Sequence, residues 1–174
     1  LQRDHGWVFE VSAAAPGPIT PVPLKAMGRF NHEAAAVDPA TGIVYLTEDR
    51  DDGLLYRFVP RVRGNLVAGG RLQAMVVEDL PDSRNRSSQA FAPASWKKVR
   101  WIDMENVESP ADDLRRRGAM QGATLFARGE GIHMGLRELY FCCTSGGAAR
   151  VGQIYRLRPA RDEPVSQIID AIKS

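Results

Sequence analysis

An all-β fold assembled by repeating one small unit is what this chain predicts, and three observations carry that reading. The first is an internal near-repeat. One copy starts at Glu33, continues through Gly42-Ile43-Val44-Tyr45-Leu46-Thr47 and ends Tyr56-Arg57-Phe58-Val59-Pro60; the other starts at Glu130, continues through Glu138-Leu139-Tyr140-Phe141-Cys142 and ends Tyr155-Arg156-Leu157-Arg158-Pro159. Each is a carboxylate, a spacer, an apolar strand, a polar turn and a second strand closing on Tyr-Arg-x-x-Pro. The second observation is a series of short β-rich runs bounded by Gly, Pro and Asp, the punctuation of antiparallel hairpins. The third is that only one segment, near 109–118, carries helix-start chemistry. A fold that repeats a unit with a carboxylate at the same corner of each copy can aim several carboxylates at one point, as hard cations require.

Taken in order, 7–11 (Trp-Val-Phe-Glu-Val) reads as a strand, followed by a proline-rich surface connection through Pro16, Pro18, Pro21 and Pro23. Residues 34–37 form a small-residue strand and Asp38-Pro39-Ala40-Thr41-Gly42 a turn. Residues 43–47 and 54–58 are strands joined by the acidic run Glu48 to Gly53, with Asp-Gly turn chemistry. Gly69-Gly70 leads into a fourth strand at 72–77. Residues 34–77 thus supply about four antiparallel strands in about 45 residues, the size of one propeller blade.

The Ser-, Arg- and Asn-rich 81–95 reads as a long loop, and 96–102 as an extended segment. Ser109-Pro110-Ala111-Asp112 reads as a helix start with Ser as the cap. Arg115, Arg116 and Arg117 then fall at the C-terminal end, with Gly118 as the stop. The β pattern resumes at 123–127, 132–134, 138–144 and 152–157. The expected organisation is a first blade region at 5–77, a loop and short helical insertion at 78–122, a second blade region at 123–159 and a tail at 160–174.

The 174 residues, 44% hydrophobic and 25% charged, suit one ordinary globular domain or a piece of a larger one. A net charge of +2 argues for neither nucleic acid nor an anionic membrane surface. No apolar run approaches the roughly 20 residues of a membrane span. The chain opens at Leu1 without Met and runs straight into the strand-like 7–11, so the expectation is a segment cut from a longer protein. The two cysteines, Cys142 and Cys143, are neighbours on a strand and therefore point to opposite faces, as small packed residues rather than a metal pair.

Common catalytic signatures fail. His32-Glu33 lacks the second His of a zinc-protease helix, and Gly129-x-Gly131 lacks the third glycine and following helix of a dinucleotide turn. Ser145 has no nucleophile-elbow frame. The acids of Glu48 to Gly53 are out of step with a calcium-binding loop, so that run reads as a solvated turn, with a metal loop as the alternative. The arginine triplet reads as a solvated helix end, with phosphate binding as the alternative.

What remains is Arg29-Phe30-Asn31-His32-Glu33 and Arg128-Gly129-Glu130-Gly131, each an arginine close to a carboxylate just before an apolar strand. At the entrance to a blade's innermost strand the two carboxylates would face the axial channel, where a cation is needed to offset their repulsion. Arg128 shares a side of an extended segment with Glu130 and has the fork to grip a phosphate. An Arg–Glu ion pair closing a turn is the competing reading.

At these residues the sequence resembles the PhoX-type alkaline phosphatases, a family once described only as a domain of unknown function. Three stretches carry the likeness: His5-Gly6-Trp7-Val8-Phe9-Glu10-Val11; Met27-Gly28-Arg29-Phe30-Asn31-His32-Glu33 through Glu48-Asp49 to Tyr56-Arg57-Phe58; and Phe126-Ala127-Arg128-Gly129-Glu130-Gly131 through Gly152-Gln153-Ile154-Tyr155-Arg156. The resemblance implies a six-bladed β-propeller whose channel holds calcium and iron and hydrolyses phosphomonoesters outside the cytoplasm, in the periplasm or extracellular space. Carried over by motif, Glu33 and Glu130 are metal ligands, Arg128 contacts the substrate phosphate as the catalytic arginine, and His32 has an orienting role. The family's iron-binding cysteine and several other ligands lie upstream of these residues, with a further acid downstream, and Cys142 and Cys143 do not occupy that cysteine's position. The resemblance therefore implies a middle portion of about two to three blades with part of the metal site. A non-catalytic propeller-like binding or scaffold module is the alternative from another class, and a one-calcium lactonase-like propeller a third. Open blades would leave sheet edges able to pair with a second copy.

Overall fold

The computed structural model describes residues 4–87, 90–160 and 166–170. They form a mainly β structure in which nine strands make one antiparallel sheet of order β1-β2-β3-β4-β5-β9-β8-β7-β6. The first arm comprises β1 (His32–Val37), β2 (Val44–Glu48), β3 (Leu55–Val62), β4 (Asn65–Val77) and β5 (Lys97–Asp103). The second comprises β6 (Gly129–Met134), β7 (Leu139–Cys143), β8 (Gln153–Arg158) and β9 (Ser166–Asp170), the last pairing with both β8 and β5. Of the expected tail, 161–165 and 171–174 lie outside the described residues.

Although β1 and β6 end the strand order on opposite sides, they lie against each other. No ladder joins them among the described residues. The junction is instead made by the buried Thr47 hydroxyl, which accepts a hydrogen bond from Ala34 N at 3.1 Å and donates to the Glu130 carbonyl at 2.7 Å. Gly129 permits the approach, since a Cβ there would stand 3.2 Å from Thr47 Cβ. The first residues of the two repeats are thereby brought side by side.

Two cores explain the burial pattern. Tyr45, Leu55, Met75, Val77, Phe126, Phe141, Tyr155, Leu157 and Ile168 fill the space between the arms. On the other face of the first arm Val44, Leu46, Tyr56, Phe58 and Leu72 pack against Leu24, Met27, Phe30, Met104 and Leu114 from the flanking segments. Buried on both faces, β2 loses the in–out alternation of a one-sided strand, all five of its residues from Val44 to Glu48 being buried.

Three sequence expectations need correction. Residues 7–11 form no strand; a single bridge, Phe9 to Pro23, ties them down, because the proline-rich partner offers few N–H donors for a ladder. Residues 123–127 likewise make only isolated bridges, since Leu125 and Phe126 donate their N–H groups to Pro81 and Gly53 in loops. The helix starts later than expected. It is α1 (Leu114–Met120), capped at Asp113, while Ser109 and Asp112 turn the chain ahead of it with φ of 34° and 51°. Gly118 lies inside α1 rather than stopping it, where the missing side chain admits Leu54, a Cβ there standing 2.6 Å from Leu54 Cδ1. Among the described residues no helix is long and apolar enough to cross a membrane.

Candidate active site

The ladders of β1 and β6 slip at the residues singled out from sequence. The β1–β2 register shifts between His32 and Ala35, and the β6–β7 register between Gly129 and Ile132. Glu33 and Glu130 each sit within one of these bulges, the device by which a strand redirects a side chain. The register also fixes which residues correspond: Glu48 opposes His32, and Cys143 opposes Gly129. The next residues then match as well, since Asp49 N donates to Asn31 O and Thr144 N donates to Arg128 O, both at 3.0 Å. Asn31, not Arg29, is therefore the counterpart of Arg128. Arg29 turns away to Asp4, the His5 carbonyl and the face of Trp7.

Arg128 and Glu130 form an ion pair, the competing reading from sequence. Arg128 Nη2 donates to Glu130 Oε1 at 3.0 Å, with the Thr144 hydroxyl at 3.5 Å from the same oxygen. A residue missed from sequence completes the group: Asp49 accepts Arg128 Nε at 2.8 Å and Nη2 at 3.1 Å, a two-pronged carboxylate–guanidinium pair. Arg128 holds a left-handed φ of 57°, a conformation a non-glycine residue keeps only when its surroundings hold it there. Its N–H bonds to Arg50 O at 2.9 Å and its carbonyl to Thr144 N. Glu33 is exposed, and its carboxylate has no hydrogen bond or ion pair among the described residues.

The acidic run 48–53 forms a partly exposed turn whose acids are paired with arginines. Asp49 pairs with Arg128, Asp51 with Arg86 and Asp52 with Arg115. The Arg86 guanidinium, helped by the Ser145 hydroxyl, holds the Asp51 carboxyl down at about 2. Arg115 and Arg117 of the triplet are likewise taken up by Asp52, Asp112 and Asp113 rather than being left for a phosphate.

Glu48 is fully buried, its Oε2 accepting from Leu54 N and the Tyr56 hydroxyl, both at 3.1 Å, while Oε1 has no hydrogen-bond partner among the described residues. Loss of water pushes its carboxyl up to about 7, even though the Leu54 N–H and the Arg115 charge oppose the shift. His32 turns inward rather than toward Glu33. Its ring stacks on Phe30 at 3.6 Å, and because a carbonyl can only accept, Nε2 carries the hydrogen shared with Gly28 O at 3.0 Å. Burial holds the ring down to about 4, so it is neutral near pH 7.

By donor type the carboxylates of Glu33 and Glu130 suit a hard cation such as calcium. By number they fall short: calcium takes about six to eight oxygens, and no group of three His, Cys, Asp or Glu able to hold a metal forms among the described residues. Iron fits this segment poorly. Cys142 Sγ donates to the Gly131 carbonyl at 3.5 Å and Cys143 is buried in the core between the arms, so the outward and inward thiols serve packing.

An antiparallel β scaffold carrying an arginine and several carboxylates at the junction of two repeats is the class of protein this geometry defines. The family model described as "Alkaline phosphatase PhoX" matches residues 1–170, and the chain belongs to that family. Among solved structures, one described as Pseudomonas fluorescens PhoX in complex with vanadate, a transition state analogue, is similar with a TM-score of 0.66 and 24% identity. The match covers 95% of this chain and 35% of that one, a likeness of fold. No curated protein matches the chain.

Proposed function

We propose that this segment supplies the phosphate-binding arginine and two metal-binding carboxylates of a phosphomonoesterase built as a six-bladed β-propeller, of which the two arms are blades. One observation carries the reading: Glu33 and Glu130 occupy equivalent bulges on adjoining strands, with the Arg128 fork beside them. Arg128 faces Asp49 and Glu130, one positive charge against two carboxylates. Coulomb's law makes such a corner repel a phosphate dianion unless cations are added. Glu33 and one oxygen of Glu130 would hold a calcium-type cation, the remaining ligands coming from outside these residues. When bound, such cations neutralise phosphoryl oxygens and activate an oxygen nucleophile. Iron enters through the resemblance alone, and no residue here is assigned to it.

The chain's own contribution is then to binding and charge. Arg128 donates to the equatorial oxygens of the phosphoryl group and steadies the charge that builds there. Glu130 holds Arg128 through Oε1 and would also be available to the cation. The protein would act on phosphomonoesters outside the cytoplasm.

In the full-length protein the reading predicts bound calcium and chelator-sensitive release of phosphate from an aryl phosphate. Glu130→Gln is expected to lower turnover about 100-fold or more and to reduce the calcium content. Unchanged metal content and turnover in that variant would overturn the assignment. Full-length protein with no phosphatase activity at any metal loading would favour a non-catalytic binding module.

A further inference from the structure

We propose that Asp49 is the positioning residue that aims the Arg128 guanidinium at the phosphoryl group, an inference that rests on reading Arg128 as the phosphate-binding residue. An exposed arginine has many rotamers, and only a few present its N–H groups to a given point. Here the choice is made by the donors already engaged. Nε–H goes to Asp49 Oδ1 at 2.8 Å; the two N–H of Nη2 go to Asp49 Oδ2 at 3.1 Å and Glu130 Oε1 at 3.0 Å. Of the five N–H donors of a guanidinium, the two on Nη1 have no partner among the described residues and remain for an oxyanion. Because both Asp49 oxygens engage the same fork, the plane of the guanidinium follows the plane of the carboxylate.

Both ends of this pair are anchored. Asp49 donates its N–H to Asn31 O at 3.0 Å and accepts Asn31 Nδ2 on its own carbonyl at 2.8 Å. Arg128 is held through its backbone to Arg50 and Thr144. The pair also crosses the repeat: a carboxylate from the first copy orients an arginine from the second. The register puts Thr144 at the position matching Asp49, so the second copy has no carboxylate there to do the same. An ion pair that merely fastened the two arms would contribute to stability and leave phosphate binding alone.

The test uses the full-length protein and inorganic phosphate as a competitive inhibitor of aryl phosphate hydrolysis, with the melting temperature recorded alongside. Arg128→Ala and Asp49→Asn are each expected to weaken phosphate inhibition about 10-fold to 100-fold, the worth of a charge-assisted hydrogen bond. In the Arg128→Ala background, Asp49→Asn is expected to change it less than about twofold, since coupled residues are not additive. Asp49→Ser, which removes the fork but keeps a small polar turn residue, gives the same readout should the Asn variant fold poorly. If the Asp49 variants lower only the melting temperature, or weaken phosphate equally with and without Arg128, the positioning role is overturned while Arg128 keeps its own. If Arg128→Ala leaves phosphate inhibition unchanged, the reading of Arg128 falls and the positioning role falls with it.

Discussion

The repeat that begins at Glu33 and the one that begins at Glu130 share a frame and differ in what lies behind it. Both have a bulge in the first strand, a fully buried tyrosine and an arginine laid over tryptophan: Tyr56 and Tyr155, Arg57 over Trp101 and Arg156 over Trp96. Both fasten the bulge with the side chain one residue before its opposing partner. Thr47 bonds to Ala34 in one copy, and Cys142 to Gly131 in the other. Behind the bulge the first copy has Glu48 and Asp49, where the second has Cys143 and Thr144. In the first arm β2 is buried on both faces, whereas the second arm leaves Tyr140 of β7 and Ile154 of β8 exposed. The lesson is that the backbone frame sets where a group stands, while two substitutions in equivalent places decide whether that group carries charge.

Glu48 is where the copies should diverge most. Its carboxyl is raised from 4.5 to about 7 in the fold, so the folded state holds a proton that the unfolded chain releases. Stability contributed here is complete below about pH 4.5, falls as pH rises toward 7 and stays lost above it. The shift corresponds to about 3 kcal/mol at most. Glu48→Gln keeps an acceptor for Leu54 N and Tyr56 and removes the titration. It is expected to be more stable than the parent above pH 7, by about 1–3 kcal/mol, the difference vanishing toward pH 4.5. Denaturant melts of both proteins across pH 4–8 check this; parallel profiles would contradict it. The second copy has Cys143 at this place rather than a carboxylate.

A smaller contrast is expected at the bulge fasteners. Thr47→Val leaves Ala34 N and Glu130 O without their hydroxyl partner inside the junction, a loss of about 1–3 kcal/mol. Cys142→Ala removes only a long thiol contact at 3.5 Å and is expected to cost less than about 1 kcal/mol. Equal midpoint shifts for the two would mean that the junction between β1 and β6 is not held at Thr47.

Much of the frame was legible because it is local. The hairpins at 43–58 and 138–157 follow from short apolar runs with turn residues between them, and the repeat placed Glu33 and Glu130 at the positions where both ladders slip. What escaped was long-range. The acids at 49, 51 and 52 read as a solvated turn because their arginine partners lie at 128, 86 and 115, and no spacing rule connects residues that far apart. Asp49 was lost with them. Equating Arg29 with Arg128 rested on nearness to a carboxylate, while the register makes Asn31 the true counterpart. The helix start went to Ser109 because Ser-Pro is a good local signal; Ser109 instead turns the chain, its hydroxyl accepting Asp113 N at 3.1 Å. Residues 7–11 have strand composition but lack a partner able to donate a ladder.

The central claim is that the carboxylates of the two bulges serve one cation, and calcium titration of the chelator-treated full-length protein tests it most directly. With Glu33→Gln, Glu130→Gln and the double variant compared, each single change is expected to weaken calcium binding at least about tenfold, and the second change to add little once the first is made. Losses that simply multiply, or a single variant that binds calcium as the parent does, would contradict it.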